Sequence, residues 1–507
     1  MHSLSLEAQS RPRTTSTASV VTGEALDLIS DSPSSLVWRL TFTASILGFL
    51  FGYDTGYISS VLVSIGSDLG NAPLTIKQSE YISSATSFGA LITSFLAGLL
   101  VDLIGRKYTV IICDLLFIIG VSLQFTAHSV FQMIIGRLIM GFGIGIGSLA
   151  APLYISELSP GKFRGRLVTM NCLAITGGQL IAYSIGAIMS NWHNGWRYIV
   201  LISLIPCLIQ LWLIFSLPDT PRYLIMKQRY DDAFKVLKKI YPLASDSLLN
   251  ANIDELQLMN KVWLDDDTLI YKIKSTFNEL FKIPSNRRSL IIACGLQATQ
   301  QFIGFNALMY FSSSIFQMVG FQNSTFVSCF IAGTNFLVTI LAIFIIDSVG
   351  RRKMLLYSMP ALCLSQIVCA ISFNSLNSSN EDIWKYILLI SLMSFVAFYS
   401  IGLGNIPWQQ SELFTQKLRG VGSSLSTATN WFGSMIISFC FLSLMESISP
   451  SLTFLVFAFN TLISFIFIYF TYPELTGLQL EQVQDLLKDG FNVAESMAIY
   501  DEYRQIH

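Results

Sequence analysis

The chain has 507 residues, 52% of them hydrophobic and only 12% charged, with a formal net charge of −1. Soluble domains carry about 25% charged residues, so the composition excludes a soluble protein with a large core and describes a polytopic membrane protein, mean hydropathy +0.57. Near-neutral charge gives no basis for nucleic acid as a partner.

Residues 1–35 are rich in Ser and Thr and include Arg11 and Arg13. They lack an apolar core followed by a small-residue cleavage site, so they read as a disordered tail and not a removable signal. Apolar runs long enough to span a bilayer, about 20 residues each, then recur near 36–65, 81–103, 108–127, 130–153, 168–190 and 197–217. After a polar stretch come 289–318, 324–347, 354–376, 383–408, 420–444 and 452–472. The expected fold is an all-α membrane protein with twelve transmembrane helices. Two six-helix halves, 36–217 and 289–472, flank a cytoplasmic helical linker, 218–288, and a short cytoplasmic tail follows at 473–507.

Basic residues set the orientation. Arg106, Lys107, Lys162, Arg164, Arg166, Arg351, Arg352, Lys353, Lys417 and Arg419 all fall in loops on one side, joined by twelve more Lys or Arg in 218–288. The opposite loops hold Lys77, Arg197 and Lys385. The positive-inside rule places both termini in the cytoplasm. Two N-x-[ST] sequons, at Asn323 and Asn377, fall in loops assigned to the outside, the side that glycosylation requires. The eight cysteines are scattered through apolar runs without ligand spacing, so neither a disulfide framework nor a metal or other cofactor is expected.

The first span carries an acid, Asp54. It lies about 27 Å along the helix from Leu36 and about 16 Å from Ile65, at 1.5 Å per residue. An ionisable group at such depth is functional by default. Arg137, in the fourth span, is the one basic residue placed inside a span and is its candidate partner. Burial and a neighbouring cation act on a carboxylate's proton affinity in opposite directions, so a pair that makes and breaks would link protonation to conformation. Asp114, in the third span, has no assigned role.

The two halves repeat. At a shift of 255, Pro152 to Gly165 overlays Pro407 to Gly420 with seven of fourteen positions identical. Asp102-Leu-Ile-Gly105-Arg106-Lys107 overlays Asp347-Ser-Val-Gly350-Arg351-Arg352, and Gly52-Tyr53-Asp54 overlays Gly304-Phe305-Asn306. Parallel halves around a midplane site are a transporter architecture. The repeated acids and bases at span ends suggest ion pairs that hold an inner gate shut. Asp102 and Asp347, beside the motif bases Arg106 and Arg351, can pair with Arg or Lys of neighbouring spans, and Glu157 with Arg164 and Glu412 with Arg419 can do the same.

These motifs resemble the sugar porter family of the major facilitator superfamily. The resemblance covers about 36–475 and rests on Asp102-x-x-Gly-Arg-Lys, Arg137 before Gly141-x-Gly143-x-Gly145, Pro152-x-Tyr154-x-x-Glu157 with Arg164-Gly165, Pro218-Asp-Thr-Pro221-Arg222, Gln300-Gln301-x-x-Gly304-x-Asn306, Asp347-x-x-Gly-Arg-Arg and Pro473-Glu474. Asp219-Thr220 stands where the family usually has Glu-Ser. Ile406 to Phe414, Ala428 to Trp431 and Tyr472 to Leu478 are most similar to fungal proton-coupled myo-inositol transporters.

A polyol is a ring of hydroxyls, each donor and acceptor, which amide side chains match. Gln297, Gln301 and, at a looser angle, Asn306 are expected to share one face of the seventh span, with Gln300 near the edge of that stripe. The resemblance assigns Gln300, Gln301 and Asn306 to sugar binding, and Gln179 and Asn430 with them. Trp408 and Tyr310 are candidates to cover the ring's apolar face. Asn335, an isolated buried amide, is expected to act as interhelical glue. The implied function is proton-coupled uptake of myo-inositol across the plasma membrane, by a monomer in the bilayer that changes no bond in its cargo and is therefore not an enzyme. A facilitative hexose uniporter and a nutrient sensor on a transporter scaffold are the alternatives.

Overall fold

Residues 26, 29, 32–70, 72–264, 269–376, 380–415, 418–475, 478 and 480–506 are described by a computed structural model. They form α1 (Ser35–Ser64), α2 (Ile76–Ile104), α3 (Arg106–Phe125), α4 (Val130–Leu158), α5 (Gly161–Met189), α6 (Gly195–Ile202) and α7 (Leu204–Ile214). Four helices precede the second half: α8 (Pro221–Met226), α9 (Tyr230–Ile240), α10 (Asp246–Leu264) and α11 (Leu269–Lys282). The second half comprises α12 (Pro284–Phe302), α13 (Phe305–Met318), α14 (Ser324–Val349), α15 (Arg351–Ser375), α16 (Glu381–Ile401), a 3-10 segment (Ile406–Leu413), α17 (Arg419–Ile448) and α18 (Pro450–Thr471). Two short helices, α19 (Leu480–Leu486) and α20 (Val493–Ile506), end the chain.

Among the described residues eleven spans, counting α6 and α7 as one, are long and apolar enough to cross a membrane. The twelfth is α12 with α13, interrupted at Ile303-Gly304. The fold is the twelve-helix major facilitator architecture, six spans on each side of α8–α11. Large apolar side chains such as Phe42, Phe95, Trp212, Phe344 and Phe470 are exposed. Apolar surface on this scale marks a membrane-facing belt. The start of α1 and the end of α18 share one face, here the tail face, and the opposite one is the far face.

Glycine sets the helix spacing in the first half. A methyl group on Gly52 of α1 would fall 1.8 Å from the Ile175 carbonyl oxygen of α5, and one on Gly178 would fall 2.3 Å from the Phe49 carbonyl. Small residues permit such backbone approach, which replaces the hydrophobic driving force that lipid cannot supply. Gly52→Ala is therefore expected to destabilise the fold by at least about 1–3 kcal/mol through overpacking. A thermal denaturation midpoint in detergent equal to that of wild type would refute this.

The motif turns have a capping logic. Gly105 and Gly350 adopt φ of +96° and +90°, a region open to glycine. Each turn exposes the first amides of the next helix. Asp219 accepts from the Arg106 N–H at 3.1 Å, and Glu474 accepts from the Arg351 and Arg352 N–H groups at 3.1 and 2.9 Å. Carboxylates at helix N-termini answer both the unpaired amides and the dipole. Burial pushes the Asp219 carboxyl above its usual range, opposed by its bonds from Thr220 and Arg106. Asp219 and Glu474 are themselves 255 residues apart, so the repeat extends to the segments after the sixth and twelfth spans.

Candidate functional site

Two helices of the second half, in the seventh and tenth spans, are interrupted. The seventh ends as α12 at Phe302, and Gly304, at φ +87°, starts α13. The tenth ends as α16 at Ile401 and continues after Gly402 and Gly404 as the 3-10 segment. Broken helices leave carbonyls that need partners in a membrane. Amide side chains supply them: Asn460 to Phe302 O (3.0 Å), Gln366 to Ile303 O (2.9 Å), Gln300 to Leu403 O (2.7 Å) and Gln297 to Pro407 O (3.0 Å). Asn430 of α17 donates to Gln297 Oε1 and Gln300 Oε1, both at 2.6 Å.

Around these breaks lies a central cavity, continuous with solvent. Among the described residues seven amide side chains line it: Gln179, Gln300, Gln301, Asn306, Asn335, Asn405 and Asn430. Phe51 and the stacked pair Phe305–Tyr399, ring centroids 3.6 Å apart, supply apolar faces. The protein's own bonds leave both polarities open. Asn306 Nδ2 donates to Gln301 Oε1 and Asn335 Nδ2 to Gln179 Oε1, both at 2.7 Å, and Asn405 Nδ2 to Ser400 O at 3.1 Å. Among the described residues this leaves Nε2 of Gln179 and Gln301 as donors, and Oδ1 of Asn306, Asn405 and Asn430 as acceptors. A ring carrying hydroxyls matches that set.

The structure differs from the sequence expectation at several of these residues. One continuous helix through 289–318 would put Gln297, Gln301 and Asn306 on a stripe. The break at Gly304 re-aims Asn306, while on α12 itself Gln300 and Gln301 line the cavity and Gln297 packs against the 3-10 segment behind it, with Gln410 at 2.9 Å. Tyr310 is buried in α13 outside the lining. Asn335 does tie spans together, accepting from Ser400 Oγ at 2.7 Å, but it also faces the cavity. The side chains of Trp408 and Asp347 lie outside the described residues. Asn405, Tyr399 and Phe305 escaped sequence reasoning, because nothing local separates them from packing residues.

The far face is closed over this cavity. Ser59 of α1 meets Ser312 and Ser313 of α13 at 3.0 and 2.9 Å. Tyr183 of α5 donates to the Met309 carbonyl and lies 3.0 Å from Ser312 Oγ. Buried Glu80 of α2 accepts from the backbone N–H and the hydroxyl of Ser443 in α17, both at 2.7 Å, and pairs with Lys77 at 2.9 Å. These bonds join the two halves. Serines are common in spans, so the pattern had no distinctive signal.

Asp54 and Arg137 form a buried pair on the far-face side of the cavity. Arg137 donates Nη1 to Asp54 Oδ1 (2.9 Å) and Nη2 to Oδ2 (3.4 Å), Nε to Ile82 O (2.7 Å) and Nη1 to Tyr57 OH (3.2 Å). The Tyr57 hydroxyl donates to Gln124 Oε1 at 2.8 Å. Both charges are 1% exposed or less, and neither lines the cavity. Asp114 is buried elsewhere, against Cys207 of α7, 3.9 Å from Oδ1.

At the tail face the ion pairs form within halves. Arg106 bonds Asp102 (2.8 Å) and Glu157 (2.7 Å), and Arg351 bonds Glu412 (3.2 Å). This corrects the expected Glu157–Arg164 and Glu412–Arg419 pairs. Arg164 Nε instead donates to Ser156 O at 3.1 Å, and Arg419 Nε is buried without a partner among the described residues. The reason is geometric. The turn before each third span of a half presents its arginine directly to the acid at the end of the α4 or 3-10 segment.

Comparison with known proteins agrees with this architecture. Residues 40–487 match the family Sugar (and other) transporter. The chain is 48% identical to myo-inositol transporter 1 of Saccharomyces cerevisiae, covering 94% of this chain and 83% of that protein. It is 44% identical to myo-inositol transporter 1 of Candida albicans, covering 93% and 87%. Among solved structures, the proton:xylose symporter XylE superposes with a TM-score of 0.75 at 22% identity, covering 89% of this chain and 99% of that one. The chain belongs to the Sugar (and other) transporter family, the sugar porters of the major facilitator superfamily, and is a multi-pass membrane transporter rather than an enzyme.

Proposed function

We propose that the protein is a proton symporter that takes up myo-inositol across the plasma membrane by alternating access. The observation that carries this reading is the amide-lined cavity, uncharged in its described lining and supplied with both donors and acceptors. The names of the 44–48% identical relatives favour myo-inositol as the cargo. The buried Asp54–Arg137 pair favours proton coupling, because an intramembrane acid without a coupling role is an expensive residue.

In the cycle, the far face opens and Asp54 takes a proton, which releases Arg137. A polyol binds Gln179, Gln300, Gln301, Asn306 and Asn430, and Trp408 covers its apolar face. The Ser59–Ser312–Ser313 and Tyr183 contacts then form behind it. The tail-face pairs, Arg106 with Asp102 and Glu157 and Arg351 with Glu412, rearrange as the halves rock, and Arg164, Asp347 and Arg419 take part in the same gate. Polyol and proton leave to the cytosol. The Lys and Arg bias places the tail face, with both termini, in the cytoplasm. Asn323, exposed at the start of α14 on the far face, is then available for glycosylation, and Asn377 lies outside the described residues. One chain holds a complete site, so the monomer suffices.

The test is uptake of labelled myo-inositol and glucose into sealed vesicles with and without an inward proton gradient. Gradient-driven accumulation of myo-inositol is expected. Equilibration without accumulation would replace the symporter with a facilitator, and no uptake of either solute would overturn the transport reading.

A further inference from the structure

A second cavity, open to solvent, lies between α1, α4 and α5. It shares Phe51, Cys172 and Ile175 with the central cavity, so the two adjoin. Val168, Asn171 and Pro152 place it toward the tail face, opposite the closed far face. Most of its wall is apolar, including Leu47, Ile144, Ala151 and Val168.

One side chain breaks the pattern. Asn171 lies in the lining at 6% exposure. Its Oδ1 is buried without a hydrogen-bond partner among the described residues and rests against Gly48, where a methyl group would fall 2.4 Å from it. Gln210 Oε1 is likewise unpaired, but its Nε2 donates to the Thr43 carbonyl, and every other buried amide among the described residues makes at least one side-chain hydrogen bond, Gln179 and Gln301 as acceptors and the rest as donors. An unpaired amide in a cavity needs an outside partner. Asn171, Ile175 and Gln179 follow at intervals of four along α5, so the two amides share a side of the helix about 12 Å apart. Across the cavity's rim, the Trp431 indole of the second half donates to Ser148 Oγ at 3.4 Å, with its ring edge-on to Phe51.

We propose that Asn171 anchors a second subsite for a hydroxylated ring, occupied between the central cavity and the tail face. The inference rests on the polyol-transport reading above and extends it. A ring hydroxyl both donates and accepts, so it can serve either end of the Asn171 amide. The carbon faces of the ring would lie on Phe51, Ile144 and Ile175. One amide in an apolar wall holds a polyol weakly, which suits a station on the way out.

The test uses full-length protein reconstituted with one orientation, and myo-inositol as the probe. Half-saturation is measured separately from the tail-face side and from the far-face side. For Asn171→Ala the tail-side value is expected to rise about five- to tenfold, with the far-side value unchanged within a factor of about two. No change, or an equal change on both sides, would overturn the subsite. If Asn171→Ala does not reconstitute, Val168→Phe decides on the same criterion, because it narrows the same cavity without touching the amide. Wild-type protein that moves neither myo-inositol nor glucose would defeat the transport reading and the subsite together. Wild-type transport with a symmetric or silent Asn171→Ala defeats the subsite alone.

Discussion

Asp54→Asn is expected to abolish proton-driven accumulation of myo-inositol while leaving exchange across the membrane. Asparagine has the shape of a protonated aspartic acid and cannot release a proton. Arg137 keeps its bonds to the Ile82 carbonyl and the Tyr57 hydroxyl, 2.7 and 3.2 Å in the native protein, and the new amide oxygen can still accept from Nη1. The arginine is therefore not stripped of partners. Removing one member of a buried pair outright costs about 3–5 kcal/mol, so Asp54→Ala is the harsher variant and is expected to lower the yield of folded protein. The measurement is the steady-state ratio of inside to outside solute under an inward proton gradient. It should exceed one for wild type and equal one for Asp54→Asn, and wild-type uptake should rise as the outside is acidified while the variant's stays flat. Undiminished accumulation by Asp54→Asn would remove this acid from the coupling mechanism.

Asn430→Ala is expected to weaken myo-inositol binding by about 2–4 kcal/mol, on the order of a hundredfold in Kd. Two effects add. The cavity loses an acceptor, Asn430 Oδ1. In addition, Gln297 Oε1 and Gln300 Oε1 lose their shared donor, each at 2.6 Å. Gln300 then has less reason to hold its place against Leu403 O, and the 3-10 segment loosens with Gln297. Equilibrium binding of labelled solute to purified protein measures the loss, and circular dichroism checks that the helices persist. Binding within threefold of wild type would mean that this network glues the spans and does not shape the site.

Gln179, Gln300, Gln301, Asn306 and Asn430 were legible in the sequence because a buried amide is rare enough in an apolar span to stand out. Their division of labour was not. Gln297 and Gln300 lie three residues apart on the same helix, and which of them faces the cavity is set by how the interrupted tenth span packs beside it, Gln297 bonding Pro407 O and Gln410 and Gln300 bonding Leu403 O. The twelve spans, the duplication, the polar stretch between the halves and the isolated charges at Asp54 and Arg137 all follow from hydropathy, repetition and charge, which are properties of the chain itself. That Asp54 meets Arg137, that Arg106 serves Glu157 while Arg164 does not, and that serines zip the far face depend on helices 50 to more than 300 residues apart coming side by side. A glycine's close approach, a freed carbonyl and a shared amide are facts of distance. Tertiary packing sets those distances, and no local pattern encodes them.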